Sequence, residues 1–254
     1  MTDEILLSVE NLTKIFSRKG QPNVTAVRDV SFDLAPGERL GLIGESGSGK
    51  STVAKLITRL LEPTSGQIRF DGEDITEARG SALRALYRKV QMVFQSPQGS
   101  FDPRRTLGDG IGESLGNAGL SASEVRVKVG RLLEACGLPA DFTARYPHEV
   151  SGGQAQRAAI ARALAIQPKL LICDEATSAL DVTVQSEIVA LLDALTRERG
   201  MACLFICHDI ALVQSFCDRV LVMKDGAIVE EGASDDLVRA PKHPYTKMLI
   251  ESVL

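Results

Sequence analysis

The stretch Gly44-Glu45-Ser46-Gly47-Ser48-Gly49-Lys50-Ser51, directly behind the apolar run Leu40-Gly41-Leu42-Ile43, constrains this chain more than any other. It fits the pattern G-x-x-x-x-G-K-[ST] and has the context that pattern needs, a strand before it and an apolar-periodic helix, residues 51–61, after it. Glycines let backbone N–H groups turn inward onto phosphate oxygens, and the positive end of the helix dipole adds to the same field. ATP and Mg²⁺ are then expected on the cradle Gly44–Thr52, with Lys50 reaching the β- and γ-phosphates and the Ser51 hydroxyl giving an oxygen to the metal.

Strand-like runs at 6–9, 24–34, 39–43, 67–70, 90–94, 170–173, 202–207 and 219–223 alternate in several places with helical patterns, which implies a doubly wound α/β core. Pro63-Thr64-Ser65-Gly66 is expected to stop the helix that follows the cradle. Between about Ser96 and Gln167 the strand signal gives way to helix-compatible sequence with Gly and Pro punctuation, notably 123–136 and 154–166. This divides a single domain, 1–254, into a catalytic core of 1–95 and 168–254 and an inserted helical subdomain of 96–167.

Composition narrows the options. With 254 residues and 44% hydrophobic content the chain can bury a large core, and a net charge of −4 offers no global positive field for nucleic acid, so no nucleic-acid partner is expected. No stretch approaches the roughly 18 apolar residues of a membrane-spanning helix. Met1-Thr2-Asp3-Glu4 lacks the pattern of a signal peptide, so the chain itself is expected to be soluble and cytoplasmic. Cys136, Cys173, Cys203, Cys207 and Cys217 read as reduced thiols in or near the core; Cys203 and Cys207 share one face of a strand without the loop that metal ligation usually needs.

A second apolar run, Leu170-Leu171-Ile172-Cys173, ends in Asp174-Glu175, as a buried parallel strand does when it delivers carboxylates at its C-terminal edge. Asp174 suits the Mg²⁺ shell, through water, and Glu175 is placed to polarise the attacking water as general base. Alone, such a pair is more often a solvated helix start; the phosphate cradle upstream favours the catalytic reading.

Ser151-Gly152-Gly153-Gln154, followed by Ala155-Gln156-Arg157, resembles the signature motif of ABC ATPases. Small residues at a helix N-terminus again expose N–H donors to an anion. The resemblance implies an α/β, P-loop NTPase core of the RecA-like kind with an N-terminal antiparallel β subdomain and an inserted α-helical subdomain. It also implies that Ser151, Gly152, Gly153 and Gln154 act in trans on ATP held by a partner subunit. In the same way Gln95 resembles the Q-loop glutamine that contacts Mg²⁺ and the attacking water, and His208 the switch histidine on the γ-phosphate. Ser178-Ala179-Leu180-Asp181 matches the D-loop at the dimer seam, and Phe16 is the candidate for stacking on adenine, or else a core residue. Val150 stands where the family commonly has Leu, and Ala155 at a variable position; neither touches the catalytic set.

The segment 94–104 and His243-Pro244-Tyr245-Thr246-Lys247 resemble the corresponding stretches of ATPases from dipeptide, oligopeptide and nickel importers. That resemblance implies a similar but distinct second ATPase subunit, two transmembrane permease subunits, and indirectly a solute-binding protein. It places the chain on the cytoplasmic face of the inner membrane, held there by the permeases. Peptides lead the candidate solutes, with nickel, opines and glutathione behind. Two other readings stay open: an ABC ATPase without a membrane partner, and a nucleotide-dependent regulatory module; intact Glu175 and His208 argue against the latter.

Overall fold

In the computed structural model, which describes residues 4–17, 20, 22–177 and 180–251, two sheets share the chain. The first is antiparallel and four-stranded: β1 (Leu7–Phe16), β2 (Val24–Leu34), β4 (Ser65–Phe70) and β5 (Glu73–Asp74), in the order β2-β1-β4-β5. Leu7, Val9 and Leu12 on β1 and Val27, Val30, Phe32 and Leu34 on β2 are buried. β1 runs well past Val9, where polar Glu10 and Asn11 break the apolar pattern. The register shifts between Val9 and Leu12, with Asn11 at φ 50°, so an irregularity absorbs the polar pair and the strand resumes.

The second sheet has the order β10-β9-β3-β8-β7-β6, built from β3 (Arg39–Ile43), β6 (Val90–Val93), β7 (Leu170–Asp174), β8 (Ala202–Ile206), β9 (Arg219–Lys224) and β10 (Ala227–Ala233). All its pairings are parallel except β9 with β10. Every residue of β7 and β8 is buried, because both faces of this sheet are covered. Alternation then sorts side chains to opposite sides. Leu170 and Ile172 join the antiparallel sheet in one core, while Leu171 and Cys173 join a second core on the far face. Cys203, Cys207 and Cys217 lie in that second core too, and Cys203 and Cys207 share the face that alternation assigns them. β10 was not anticipated, although Asp225-Gly226, both at positive φ, is a hairpin turn between two apolar runs.

The helix after the cradle, α1 (Lys50–Ile57), is shorter than the expected 51–61. The Thr58 hydroxyl donates to the Ala54 carbonyl and Arg59 turns to φ 58°, so the helix ends well before Pro63 instead of being stopped by it. α2 (Gly80–Lys89) leads into β6. Between β6 and β7 lie α3 (Leu107–Asn117), α4 (Ala122–Ala135) and α5 (Gly152–Leu164), with short 3-10 turns before α3 and between α4 and α5 and no strand among the described residues. Arg162 of α5 fastens this helical layer to the segment after β6, donating to the Ser100 carbonyl and hydroxyl with its guanidinium 4.4 Å from the Phe101 ring centroid. α6 (Val182–Arg199), α7 (Ile210–Phe216), α8 (Ser234–Arg239) and α9 (Pro244–Glu251) complete the fold. Among the described residues no helix is long and apolar enough to cross a membrane.

Candidate functional site

Since β3, β6, β7 and β8 run parallel in adjacent register, the segments leaving their C-terminal ends gather on one edge of the sheet. Those segments carry Gly44–Thr52, Gln95, Asp174-Glu175 and His208.

Two cradle glycines are dictated by space as well as by conformation. A Cβ on Gly44, at φ 149°, would lie 2.1 Å from the Met223 carbonyl oxygen; one on Gly49, at φ 107°, would lie 2.3 Å from the Ala26 carbonyl oxygen. Gly47, at φ 83°, is needed for its backbone alone. Glu45, Ser46 and Gly47 are exposed and Ser48 is buried. Gly49 is the N-cap of α1 and supplies no side-chain cap, so the first amides of that helix are available to an anion. The Lys50 ammonium, 4% exposed, donates to the carbonyls of Gly44 at 2.8 Å and Glu45 at 2.7 Å and to the Ser48 hydroxyl at 3.4 Å. Burial pulls its pKa down, opposed by the nearby carboxylates of Glu175 and Asp174. A desolvated cation of this kind gains strongly from a phosphate.

Opposite it, the Ser51 hydroxyl donates to Asp174 Oδ1 at 2.7 Å. Asp174 is 6% exposed, and burial, aided by Glu175, raises its pKa against the effect of Ser51. Glu175 sits at φ 48°, a conformation that costs about 1 kcal/mol or more for a non-glycine residue. It is held there by its N–H bond to the Ile206 carbonyl at 3.0 Å, and its carboxylate accepts from Gln95 Nε2 at 2.8 Å. A hydroxyl, a carboxylate and a carboxamide form an oxygen donor set suited to a hard divalent cation, and a buried carboxylate bonded to a neutral hydroxyl is one that a cation would stabilise. The residues therefore fit Mg²⁺. His208 follows β8 on the same edge and is exposed. Phe16, at the end of β1 and paired with Val24, is 37% exposed, with the Lys14 ammonium 5.2 Å from its ring centroid; it lies at the surface and not in the core.

The signature residues open α5, the last helix of the inserted helical layer. Ser151, exposed, caps α5: its hydroxyl accepts the Gln154 N–H at 3.3 Å and Gln154 Oε1 accepts the Ser151 N–H at 2.9 Å. The amides of Gly152 and Gly153 have no partner within their own helix. The neighbours of these glycines are Leu180 and Val184, the latter on the first turn of α6, which Asp181 caps through the Val184 N–H at 3.0 Å. Ser151, Gly152 and Asp181 are exposed and Gly153 and Gln154 half-buried, with Leu180 and Val184 linking the start of α5 to the start of α6. Ser178 and Ala179 of the D-loop match lie outside the described residues.

One contact had no precedent in the local sequence pattern. The Glu45 N–H donates to the Tyr245 hydroxyl at 2.9 Å, joining the cradle to α9 across 200 residues. The His243–Lys247 stretch marked the segment, but its spacing carries no hint of what it meets.

Comparisons with known proteins bear on the family and the fold. The family described as ABC transporter matches residues 27–178, and the one described as oligopeptide/dipeptide transporter, C-terminal region, matches 229–254. A putative peptide import ATP-binding protein of Brucella ovis is 44% identical over 254 residues, covering 100% of this chain and 80% of that protein. The glutathione import ATP-binding protein GsiA of Shigella dysenteriae serotype 1 is 49% identical over 257 residues, covering 98% of this chain and 41% of that longer protein. Among solved structures, the dimeric ATP-binding cassette MJ0796 in a post-hydrolysis state bound to ADP and Pi superposes with a TM-score of 0.83 at 31% identity, over 90% of this chain and 98% of that one. CbiO1 from Clostridium perfringens, part of the ABC transporter complex cbiONQ, superposes with a TM-score of 0.81 at 29% identity, over 99% of this chain and 100% of its own.

Proposed function

The chain belongs to the ABC transporter family, whose ATP-binding cassettes share its α/β fold, and on that premise we propose that it is the ATP-hydrolysing subunit of an importer for peptides or a related small solute such as glutathione, nickel or an opine. One observation carries this reading: the uncapped helix tip at Lys50 and the acidic pair at Asp174-Glu175 share an edge, while a second helix tip, at Ser151, is exposed at the start of α5. Each pocket is then completed by the Ser151–Gln154 tip and Asp181 of a second cassette. The existence of a dimeric relative bound to ADP and Pi supports the same arrangement.

The cradle amides and Lys50 bind the triphosphate, and Ser51, Asp174 and Gln95 would hold Mg²⁺. When bound, that ion neutralises charge on the phosphate oxygens. Gln95 steers the Glu175 carboxylate, which takes a proton from a water as its oxygen bonds to the γ-phosphorus and the bond to the β-γ bridging oxygen breaks, releasing ADP and phosphate. His208 contacts the γ-phosphate from the end of β8, and Phe16 stacks on adenine at the sheet margin. Residues 96–167 act as the helical unit that carries the signature tip, within a core of 1–95 and 168–254. The partners are a homologous, non-identical ATPase subunit, two permease subunits and, indirectly, a solute-binding protein, which places the chain at the cytoplasmic face of the inner membrane.

Glu175→Gln tests the reading. With ATP and Mg²⁺ it should slow hydrolysis by about 10²- to 10⁴-fold and accumulate a closed pair of cassettes in sedimentation or size-exclusion experiments on the assembled complex. Turnover at the wild-type rate would remove Glu175 from its role.

A further inference from the structure

The stretch His243–Lys247 takes no part in the hydrolysis described above, yet it reaches the phosphate cradle. Its approach is anchored on β10, where the Glu230 carboxylate accepts the Lys242 N–H at 2.8 Å and the His243 N–H at 3.0 Å. The β9–β10 register shifts between Ile228 and Glu230, an irregularity of the kind that re-aims a side chain. His243 Nδ1 then accepts the Tyr245 N–H at 3.2 Å, fixing the first turn of α9. These contacts deliver Tyr245, 3% exposed, beneath the loop, with its ring centroid 4.8 Å from the Lys224 ammonium.

What the Tyr245 hydroxyl holds there is a pivotal residue. The Glu45 N–H donates to it, while the Glu45 carbonyl accepts both the Ser48 N–H at 3.2 Å and the Lys50 ammonium at 2.7 Å. Glu45 lies among three glycines at positive φ, Gly44, Gly47 and Gly49, and its own side chain is exposed, so side-chain packing does little to order it. Ordering such a segment costs conformational entropy, and any tether that prepays that cost strengthens binding. The hairpin turn supplies a neighbouring tether, the Gly226 N–H bond to the Ser48 carbonyl at 3.1 Å. Burial also raises the Tyr245 pKa, so the hydroxyl stays neutral across the physiological range.

We propose that Tyr245 is a positioning residue for nucleotide binding, and that α9 latches the phosphate loop in its binding shape through the Tyr245 hydroxyl and the Glu45 N–H. This rests on reading Gly44–Thr52 as the triphosphate site. The latch acts on binding, ahead of chemistry, and so should be felt in affinity and not in turnover.

Tyr245→Phe in the full chain keeps the ring and its Lys224 contact and removes the acceptor. Isothermal titration with MgATP is expected to show about a five- to tenfold weaker Kd. In the assembled transporter KM for ATP should rise by a similar factor while kcat stays close to wild type. A merely structural tyrosine would instead lower the melting temperature, the binding stoichiometry and the apparent kcat, leaving Kd and KM unmoved, and that pattern overturns the proposal. Wild type and Lys50→Ala run alongside. Should wild type itself not bind ATP, the reading of the loop fails; should wild type bind, Lys50→Ala not bind, and Tyr245→Phe bind as wild type does, the latch alone fails.

Discussion

Asp174 is buried against an uncharged hydroxyl, and its raised pKa has a definite thermodynamic sign. An acid whose folded pKa exceeds its unfolded value binds its proton more tightly when folded, so its contribution to stability is greatest below the unfolded pKa and is lost as pH rises through the folded one. At neutral pH the ionised Asp174 is therefore a liability, which the proposed cation would relieve. Asp174→Asn is expected to raise the melting temperature of the nucleotide-free protein at pH 7, read by differential scanning fluorimetry, while reducing Mg²⁺-supported hydrolysis by two orders of magnitude or so. A lower melting temperature with activity retained would contradict both halves. Lys50 carries the mirror-image liability, a cation whose pKa burial has lowered. Burial thus penalises the charged form of both groups, and a ligand at the proposed site would relieve both.

The two helix tips are built differently, and the difference suits the roles proposed for them. α1 begins at a glycine that offers no side-chain cap, so its first amides are open to the proposed triphosphate. α5 begins with a reciprocal Ser151–Gln154 box, so the exposed tip is ordered before any partner reaches it. Ser151→Ala should cost about 1 kcal/mol in urea-induced unfolding and should also cut hydrolysis by the assembled complex more than that loss explains. Equal stability and full hydrolysis would show that the cap is idle. Pattern alone located these elements because capping, glycine turns and apolar periodicity are all local. Their ends were less legible: α1 stops at Ile57 through a threonine back-bond and a left-handed Arg59, and β1 survives a polar pair by bulging.

At the scale of the whole molecule, the parallel sheet divides the interior into two cores and sends all five cysteines into one of them. Burial raises the Cys207 pKa to about 11 and that of Cys136 to about 12, so thiolate is scarce at neutral pH. Native protein should accordingly react with Ellman's reagent only as fast as it opens globally, and a fast phase would mean that a thiol is reachable from the folded state. Several features were determined by the sequence on its own: the strand–glycine–helix cradle, the acidic pair behind a buried strand and the small-residue helix start at Ser151, each a pattern spanning a few residues whose chemistry follows from spacing. Others were decided only by tertiary structure: Ser51 meeting Asp174 across 123 residues, Gln95 meeting Glu175 across 80 and Glu45 meeting Tyr245 across 200. Those meetings depend on the strand order β10-β9-β3-β8-β7-β6 and on where the last helix docks. Strand order and docking are settled by packing energies summed over both cores, which no short stretch of chain encodes.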